Sequence, residues 1–147
     1  MIQFDKELLG SLFEKAVENP RKRMNMDMRT SSADTSQRML NALLPGTEVP
    51  IHCHEETSES VICLCGKLYE VIYEEETSYE RENQNEKFSQ SIESMDIVRK
   101  TTFREVDRIL LCPAEDKHGC QIPKGAWHTI EVLEPSVIFE AKDGAYK

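Results

Sequence analysis

The segment from Gly46 to Gly66 constrains the fold of this chain more than any other part of the sequence. Within it, one residue separates His52 from His54, so on an extended strand both imidazoles project from the same face. Glu59 follows after a short polar turn, and we expect its carboxylate to return to that face from the next strand. The segment therefore predicts neighbouring β-strands that gather two imidazoles and one carboxylate.

A second block, closer to the carboxyl end, supplies another histidine. His128 follows the turn-forming residues Pro123 and Gly125. Three imidazoles and a carboxylate suit one divalent transition metal, which would be Fe, Mn, Ni, Co or Zn. The predicted metal ligands are His52, His54, Glu59 and His128. The alternative is that the histidines only form hydrogen bonds inside the fold.

These two blocks resemble the paired motifs of the cupin superfamily. The first has the family's order of glycine, His-x-His, glutamate and glycine at the family's spacing, in Gly46, His52, His54, Glu59 and Gly66. The second has the core pattern Pro-x-Gly-x-x-His in Pro123, Gly125 and His128, with Val132 where asparagine is usual. The resemblance implies the cupin fold, a double-stranded β-helix that forms a jelly-roll barrel. It also implies that the same four ligands hold the metal.

A narrower resemblance covers most of the chain. The order of residues 19–23, 36–43 and 139–144 around the first motif is similar to that of WbuC-type cupin-fold metalloproteins. The chain departs from that family at Ala145, where proline is common, and at Arg29, where histidine is frequent. Members of the family are often linked to bacterial surface-polysaccharide gene clusters. The resemblance therefore implies a role in polysaccharide biosynthesis without defining a reaction.

Local patterns predict one helix followed by many short strands. Residues 5–19 have apolar side chains at helical spacing, with Asp5 as a suitable N-cap and Pro20 at the end. Residues 37–44 form a predicted strand. Further short apolar runs alternate with turns over residues 61–64, 68–73, 97–98, 109–112, 129–133 and 137–139. The pattern favours an all-β sandwich or barrel with an N-terminal helix.

The chain divides into two predicted parts. Residues 1–36 form an N-terminal helix and a basic, polar extension packed on the barrel, and residues 37–147 form the metal-binding cupin barrel. Residues 74–93 are poor in apolar side chains, so we expect a solvated hairpin or a long mobile loop there. The same composition predicts that this acidic segment is dispensable for folding.

Composition limits the partners and the compartment. The net charge of -9 argues against nucleic acid, and no apolar run approaches the roughly 20 residues that span a bilayer. Five cysteines are an odd number for a disulfide framework, and acids among the first leucines argue against a signal peptide. These features predict a cytoplasmic protein. Cupins often pair across a dimer, so the resemblance also implies a homodimer.

Ligand selection requires side chains at the mouth of the barrel. Arginines are candidates to hold an anionic group and aromatic side chains to pack against a ligand, although both have ordinary structural roles elsewhere. The candidate ligand-binding residues are Arg21, Arg23, Arg38 and Tyr69. Two functions remain open. The protein is either a metal-dependent isomerase or oxygenase acting on a small oxygen-rich molecule, sugar-related or anionic, or a non-catalytic module that binds such a molecule without turnover.

Overall fold

The computed structural model describes residues 1–81 and 97–144. This part of the chain contains helix α1 (Lys6–Glu18) and a short 3₁₀ helix (Pro113–Glu115). Its strands are β1 (Arg23–Asp27), β2 (Ser36–Leu43), β3 (Glu59–Arg81), β4 (Ile97–Leu111), β5 (Gly119–Ile122) and β6 (Trp127–Asp143). In the described segments, no helix is long and apolar enough to cross a bilayer.

The strands form one antiparallel sheet in the order β1-β2-β6-β3-β4, with β5 beside the start of β3. Strands β3 and β6 run side by side, and their register shifts between Cys63 and Leu68. Before this bend β3 pairs with β5 on its free edge, and after it with β4. Gly66 lies in the bend with φ +94°, and a Cβ atom there would collide with the backbone of Pro135 and Ser136. The bend folds the sheet into two halves.

Apolar side chains from both halves meet between them and form the core. The core residues are Leu43, Val61, Cys63, Leu68, Leu111, Ile122, Ile130, Val132 and Ile138. Because the sheet is folded over its own inner face, the architecture is a jelly roll. The predicted fold, all-β with an N-terminal helix, is confirmed.

Helix α1 packs on the outer face of the sheet. Its buried residues Leu12 and Ala16 lie against Leu40, Ala42 and Val137. The side chain of Asp5 accepts a hydrogen bond from the Leu8 N–H at 2.9 Å, which caps the first turn. The predicted helix and its N-cap are therefore confirmed.

Strand β1 is an element that the sequence analysis did not predict. It lies inside the segment expected to be a polar extension, and it pairs with β2 from Arg23↔Leu43 to Asp27↔Met39. Its methionines alternate with polar residues, and Met24 and Met26 pack in the cluster under α1. The extension thus contributes the edge strand of the sheet.

The outer parts of β3 and β4 form an exposed two-stranded ribbon. Residues 74–81 pair with residues 97–104, and Arg104 bonds to Glu74 at 2.6 Å and to Glu76 at 2.7 Å across the strands. Over residues 74–81 the structure therefore has the solvated hairpin arm that was one of the two expectations for the acidic segment. Residues 82–93 of that segment lie outside the described residues.

Candidate metal centre

Backbone pairing brings the two histidine blocks together. His52 and His54 lie between β2 and β3, and His128 lies near the start of β6. The His52 N–H donates to the His128 carbonyl at 3.0 Å, and the His128 N–H donates back at 2.9 Å. The Gly125 N–H also donates to the His54 carbonyl at 2.7 Å. These bonds fix the turn before β6 against the His-x-His segment.

The three imidazoles form a compact cluster. One potential ligand atom from each of His52, His54 and His128 lies within 4.8 Å of the other two. The ring centroids of His52 and His128 are 4.2 Å apart, and that of His54 lies 5.2 and 5.6 Å from them. A first-row metal bound at about 2.0–2.1 Å from each nitrogen fits inside such a group.

Hydrogen bonds to backbone carbonyls orient two of the rings. Nδ1 of His52 lies 2.8 Å from the Pro50 carbonyl oxygen, and Nδ1 of His128 lies 2.9 Å from that of Ala126. A carbonyl only accepts, so each Nδ1 carries the proton and each Nε2 keeps its lone pair. Metal-binding histidines are commonly oriented in this way.

Burial keeps two of the imidazoles neutral. It lowers the pKa of His54 to about 4, with further contributions from His52, Lys142 and His128. Burial likewise lowers the pKa of His128 to about 4, although its hydrogen bond to Ala126 opposes the change. Both rings are therefore unprotonated at neutral pH, as metal ligands must be.

Glu59 lies next to this cluster at the start of β3. Its side chain is buried, and its Oε2 atom is 2.7 Å from Nε2 of His54. It does not belong to the group of atoms that all lie within 4.8 Å of one another, which consists of the three histidines. The structure thus brings the histidines together and places the carboxylate against one of them. Imidazole nitrogens with an adjacent carboxylate are donors that fit a first-row divalent metal.

The histidines border a cavity of about 750 Å³. Arg21 and Arg23 line it, and their role in ligand binding stays a prediction. Arg38 and Tyr69 are not among its lining residues. The Arg38 guanidinium bonds instead to Asp34 at 2.7 Å, and Tyr69 lies beneath the guanidinium of Arg108 at 5.0 Å from the ring centroid. These contacts lie outside the cavity lining, and the predicted role of Arg38 and Tyr69 in ligand binding stays a prediction.

Two glutamates that the sequence analysis did not select also line the cavity. Glu70 on β3 is fully buried, and Glu140 on β6 is 7% exposed. Burial and the nearby Glu59 raise the pKa of Glu140 to about 8, and burial with Glu140 and Glu59 also raises the pKa of Glu70. The available signal was weak: each is a single acid inside an apolar run of a strand.

Comparison with known families places the chain in one of them. The family described as "Domain of unknown function (DUF6016)" matches residues 4–84, which is more than half of the chain's 147 residues. The chain belongs to this family. The match contains His52, His54 and Glu59. No curated protein matches the sequence.

Solved structures resemble this fold at low sequence identity. The TT1209 protein from Thermus thermophilus has a TM-score of 0.54 and 18% identity, with 98% of each chain covered. The conserved SPY1581 protein of unknown function from Streptococcus pyogenes has a TM-score of 0.50 and 10% identity, with 88% of this chain and 80% of that chain covered. The Schizosaccharomyces pombe Cnp3 cupin domain has a TM-score of 0.48 and 10% identity, with coverage of 84% and 66%.

The chain has a cupin jelly-roll fold, with a histidine cluster that fits a metal. At such identities the likeness to solved structures concerns the fold alone. The narrower resemblance to WbuC-type cupins is tested by none of these comparisons, and it stays a prediction.

Proposed function

We propose that this protein is a metal-binding cupin of WbuC type that holds a small oxygen-rich molecule, sugar-related or anionic, at an open metal centre. The observation that carries the proposal is the convergence of His52, His54 and His128 on one side of a cavity. The carbonyl partners of His52 and His128 leave their Nε2 lone pairs available for coordination. A cavity of about 750 Å³ is within the size range of small-molecule sites.

The proposed ligands are His52, His54, His128 and Glu59. The metal is one divalent ion among Fe, Mn, Ni, Co and Zn, and when bound it would supply Lewis-acid polarisation of a ligand oxygen. Burial holds the imidazoles of His54 and His128 neutral. Glu59 would complete the set through a small change of its side-chain position from His54.

Arg21 and Arg23 are proposed to hold an anionic group of the ligand. Both line the cavity, and in the described parts of the chain neither forms an ion pair with an acid. Guanidinium groups bind carboxylate and phosphate through paired hydrogen bonds. The rival is that they contact a neighbouring subunit in a homodimer, which the cupin resemblance also implies.

Two classes of function remain within this proposal. In the first, the protein is an isomerase or oxygenase-type enzyme of polysaccharide biosynthesis. In the second, it is a non-catalytic module in which the metal fixes the ligand and the barrel. We favour a cytoplasmic location for either class, because all five cysteines are free thiols.

Elemental analysis of the untagged protein, followed by turnover assays on sugar nucleotides and small acids, tests the proposal. We expect about one first-row metal per chain. Protein that contains no transition metal after purification and after incubation with each of the five ions would contradict the metal centre. Binding of a ligand that survives unchanged would favour the non-catalytic module.

A further inference from the structure

Glu70 is a buried carboxyl group that faces the cavity without a hydrogen-bond partner. Its side chain has no solvent exposure, and both of its carboxyl oxygens lack partners in the described structure. On β3 it pairs with Ile130 of β6 and Ile109 of β4, so it lies diagonally across the ladder from His128. It therefore occupies the cavity wall beside the histidine cluster.

A buried carboxyl group without a hydrogen-bond partner destabilises the folded protein unless a bound ligand forms hydrogen bonds with it. Buried polar side chains in folded proteins nearly always have hydrogen-bond partners, and an unpaired buried carboxyl destabilises the fold. An apolar side chain at this position would extend the core of Ile109, Leu68 and Ile130 without that cost. The presence of Glu70 is explained when a bound molecule supplies the missing partner.

A third unpartnered oxygen lies on another strand that lines the same cavity. Asn41 on β2 is 8% exposed and lines the cavity, and its Oδ1 atom has no partner among the described residues. Its cross-strand neighbour Asn25 lines the cavity too. The amide groups of Asn41 and Asn25 and the carboxyl group of Glu70 can form hydrogen bonds with a ligand that carries several hydroxyl groups, because a hydroxyl both donates and accepts.

The geometry does not favour a second metal ion at the glutamates. Of the described His, Cys, Asp and Glu side chains, the group close enough together to hold a metal consists of the three histidines. An organic ammonium group is the remaining rival ligand for Glu70. A glutamine at this position retains hydrogen bonds to hydroxyls but removes the negative charge that an ammonium group needs, so substitution separates the two.

We propose that Glu70 and Asn41 form a hydroxyl-binding subsite beside the histidine cluster, so that the ligand is a small polyhydroxylated acid. Its anionic group would lie toward Arg21 and Arg23, and its hydroxyls would reach Glu70 and Asn41. This inference rests on the proposed function and names the substrate class of the same site. Glu70 is here a specificity-determining residue.

The test compares two probes that differ chiefly in hydroxyl groups. D-glucuronate and cyclohexanecarboxylate both carry one carboxylate on a six-membered ring. Their affinities are measured by calorimetry on the full chain, as the wild type and as the Glu70→Leu and Glu70→Gln variants.

The wild type should bind glucuronate more tightly than cyclohexanecarboxylate. Glu70→Leu should weaken glucuronate about tenfold, the scale of one or two hydrogen bonds, and leave cyclohexanecarboxylate unchanged. Glu70→Gln should stay within about threefold of the wild type for both probes.

Thermal unfolding supplies a second readout that a structural role would not give. Because Glu70→Leu removes an unpaired buried carboxyl, we expect its melting temperature to rise above that of the wild type. A fall would show that the carboxyl stabilises the barrel, which contradicts the proposal. Equal glucuronate affinity in Glu70→Leu and wild type, or no preference of the wild type for glucuronate, would also overturn it. So would binding of 1,6-diaminohexane that Glu70→Gln abolishes.

Failure of the metal centre is distinguished by running the same titrations on metal-free protein. Wild-type protein that takes up no metal but still prefers glucuronate through Glu70 would overturn the metal proposal and support the subsite. Protein that binds metal but does not discriminate between the two probes would support the metal proposal and overturn the subsite.

Discussion

His52 and His128 exchange two backbone hydrogen bonds, at 3.0 and 2.9 Å, although they belong to segments far apart in the chain. This exchange, together with the hydrogen bond from the Gly125 N–H to the His54 carbonyl, holds the second motif against the first. The imidazoles project from paired backbone, so their relative positions are fixed before any metal binds. A site whose ligand-bearing segments are joined backbone to backbone holds its ligands more rigidly than one built on free loops.

The first prediction concerns metal content. His54→Ala removes the imidazole that contacts Glu59 at 2.7 Å and lies 5.2 and 5.6 Å from the rings of the other two histidines, so we expect the variant to lose most of its metal. His118→Ala is the matched control, because His118 is exposed and lies outside the cluster. Plasma mass spectrometry of the two purified variants measures the difference. Metal content in His54→Ala equal to that of the control would contradict the assignment.

A second prediction uses two glycines with different backbone conformations. Gly125 has φ +78° in the turn before His128, so Gly125→Ala should cost about 1 kcal/mol of unfolding free energy from backbone strain alone. Gly10 lies inside α1 with open space around it, so Gly10→Ala should add roughly 0.5–1 kcal/mol. Urea unfolding measures both. A Gly125→Ala variant as stable as the wild type would show that this turn does not require glycine.

The sequence predicts the cluster of three histidines well because the motif spacing carries the geometry. The spacing of the His-x-His pair predicts that both imidazoles project to one side, and the cupin resemblance brings His128 to them. The sequence predicts less well which side chains line the cavity, because adjacent residues on a strand point to opposite faces of the sheet. Tyr69 was expected at the ligand, yet its neighbour Glu70 lines the cavity. Likewise Arg38 was expected there, and its neighbour Met39 lines it.

The sequence analysis did not predict strand β1, for a different reason. Its methionines alternate with polar residues, which is a strand pattern, but the surrounding charges of residues 21–29 resemble an exposed extension. The alternation indicates a strand only when α1 is known to cover the outer face of the sheet, because the methionines pack under the helix. Tertiary context therefore decides this strand, and no local signal supplies that context.

A third prediction concerns the exposed ribbon. The sequence predicted that residues 74–93 are dispensable, but residues 74–81 pair with residues 97–104, so both arms must be removed together. Replacing residues 74–104 by Asn-Gly joins the paired residues Tyr73 and Glu105 through a two-residue hairpin turn. The variant loses the contact of Phe103 with Trp127 at 4.9 Å between ring centroids, worth about 0.5–1.5 kcal/mol. We expect its melting temperature to fall by only a few degrees.

Calorimetry of this ribbon-deletion variant beside the wild type checks the expectation. Removal of residues 74–93 alone is the control, and it should destabilise more, because it leaves residues 97–104 of β4 without a partner strand. Insoluble protein from the balanced deletion would show that the ribbon carries an element the barrel needs.

A fourth prediction follows from opposing proton linkages in the metal-free protein. His54 and His128 have their pKa lowered from 6.5 to about 4, so the unfolded chain binds more protons, and stability falls as the pH drops from 6.5 toward 4. Glu140 has its pKa raised from 4.5 to about 8, so the folded protein keeps a proton that the unfolded chain releases. That effect lowers stability as the pH rises from 4.5 to 8.

Only the carboxyl effect operates above the ordinary pKa of histidine. We therefore expect the melting temperature of chelator-treated protein to fall between pH 6.5 and pH 8, and Glu140→Gln to reduce that fall, with the remainder due to Glu70, whose pKa is also raised. Thermal melts at both pH values, on wild type and variant, measure it. An equally steep fall in Glu140→Gln would assign the dependence to another group.

The last prediction concerns Arg21 and Arg23 at the cavity. In a protein of net charge -9, two arginines that line the cavity offset the repulsion that an approaching anion meets. The double variant Arg21→Ala/Arg23→Ala should weaken glucuronate binding by roughly 1.5–3 kcal/mol per charged hydrogen bond, with metal content and melting temperature unchanged. Arg38→Ala is the matched control, since it removes the same charge from a side chain that pairs with Asp34 away from the cavity.

Competition titrations at low salt separate the specific effect of Arg21 and Arg23 from a general loss of positive charge. A general effect would weaken glucuronate equally in Arg21→Ala and in Arg38→Ala, and it would disappear at high ionic strength because screening acts on charges at a distance. A direct contact would persist at high salt, because paired hydrogen bonds between a guanidinium and a carboxylate are short-ranged. If the double variant binds glucuronate as tightly as the wild type but changes its sedimentation from dimer to monomer, the two arginines contact a neighbouring subunit instead of the ligand.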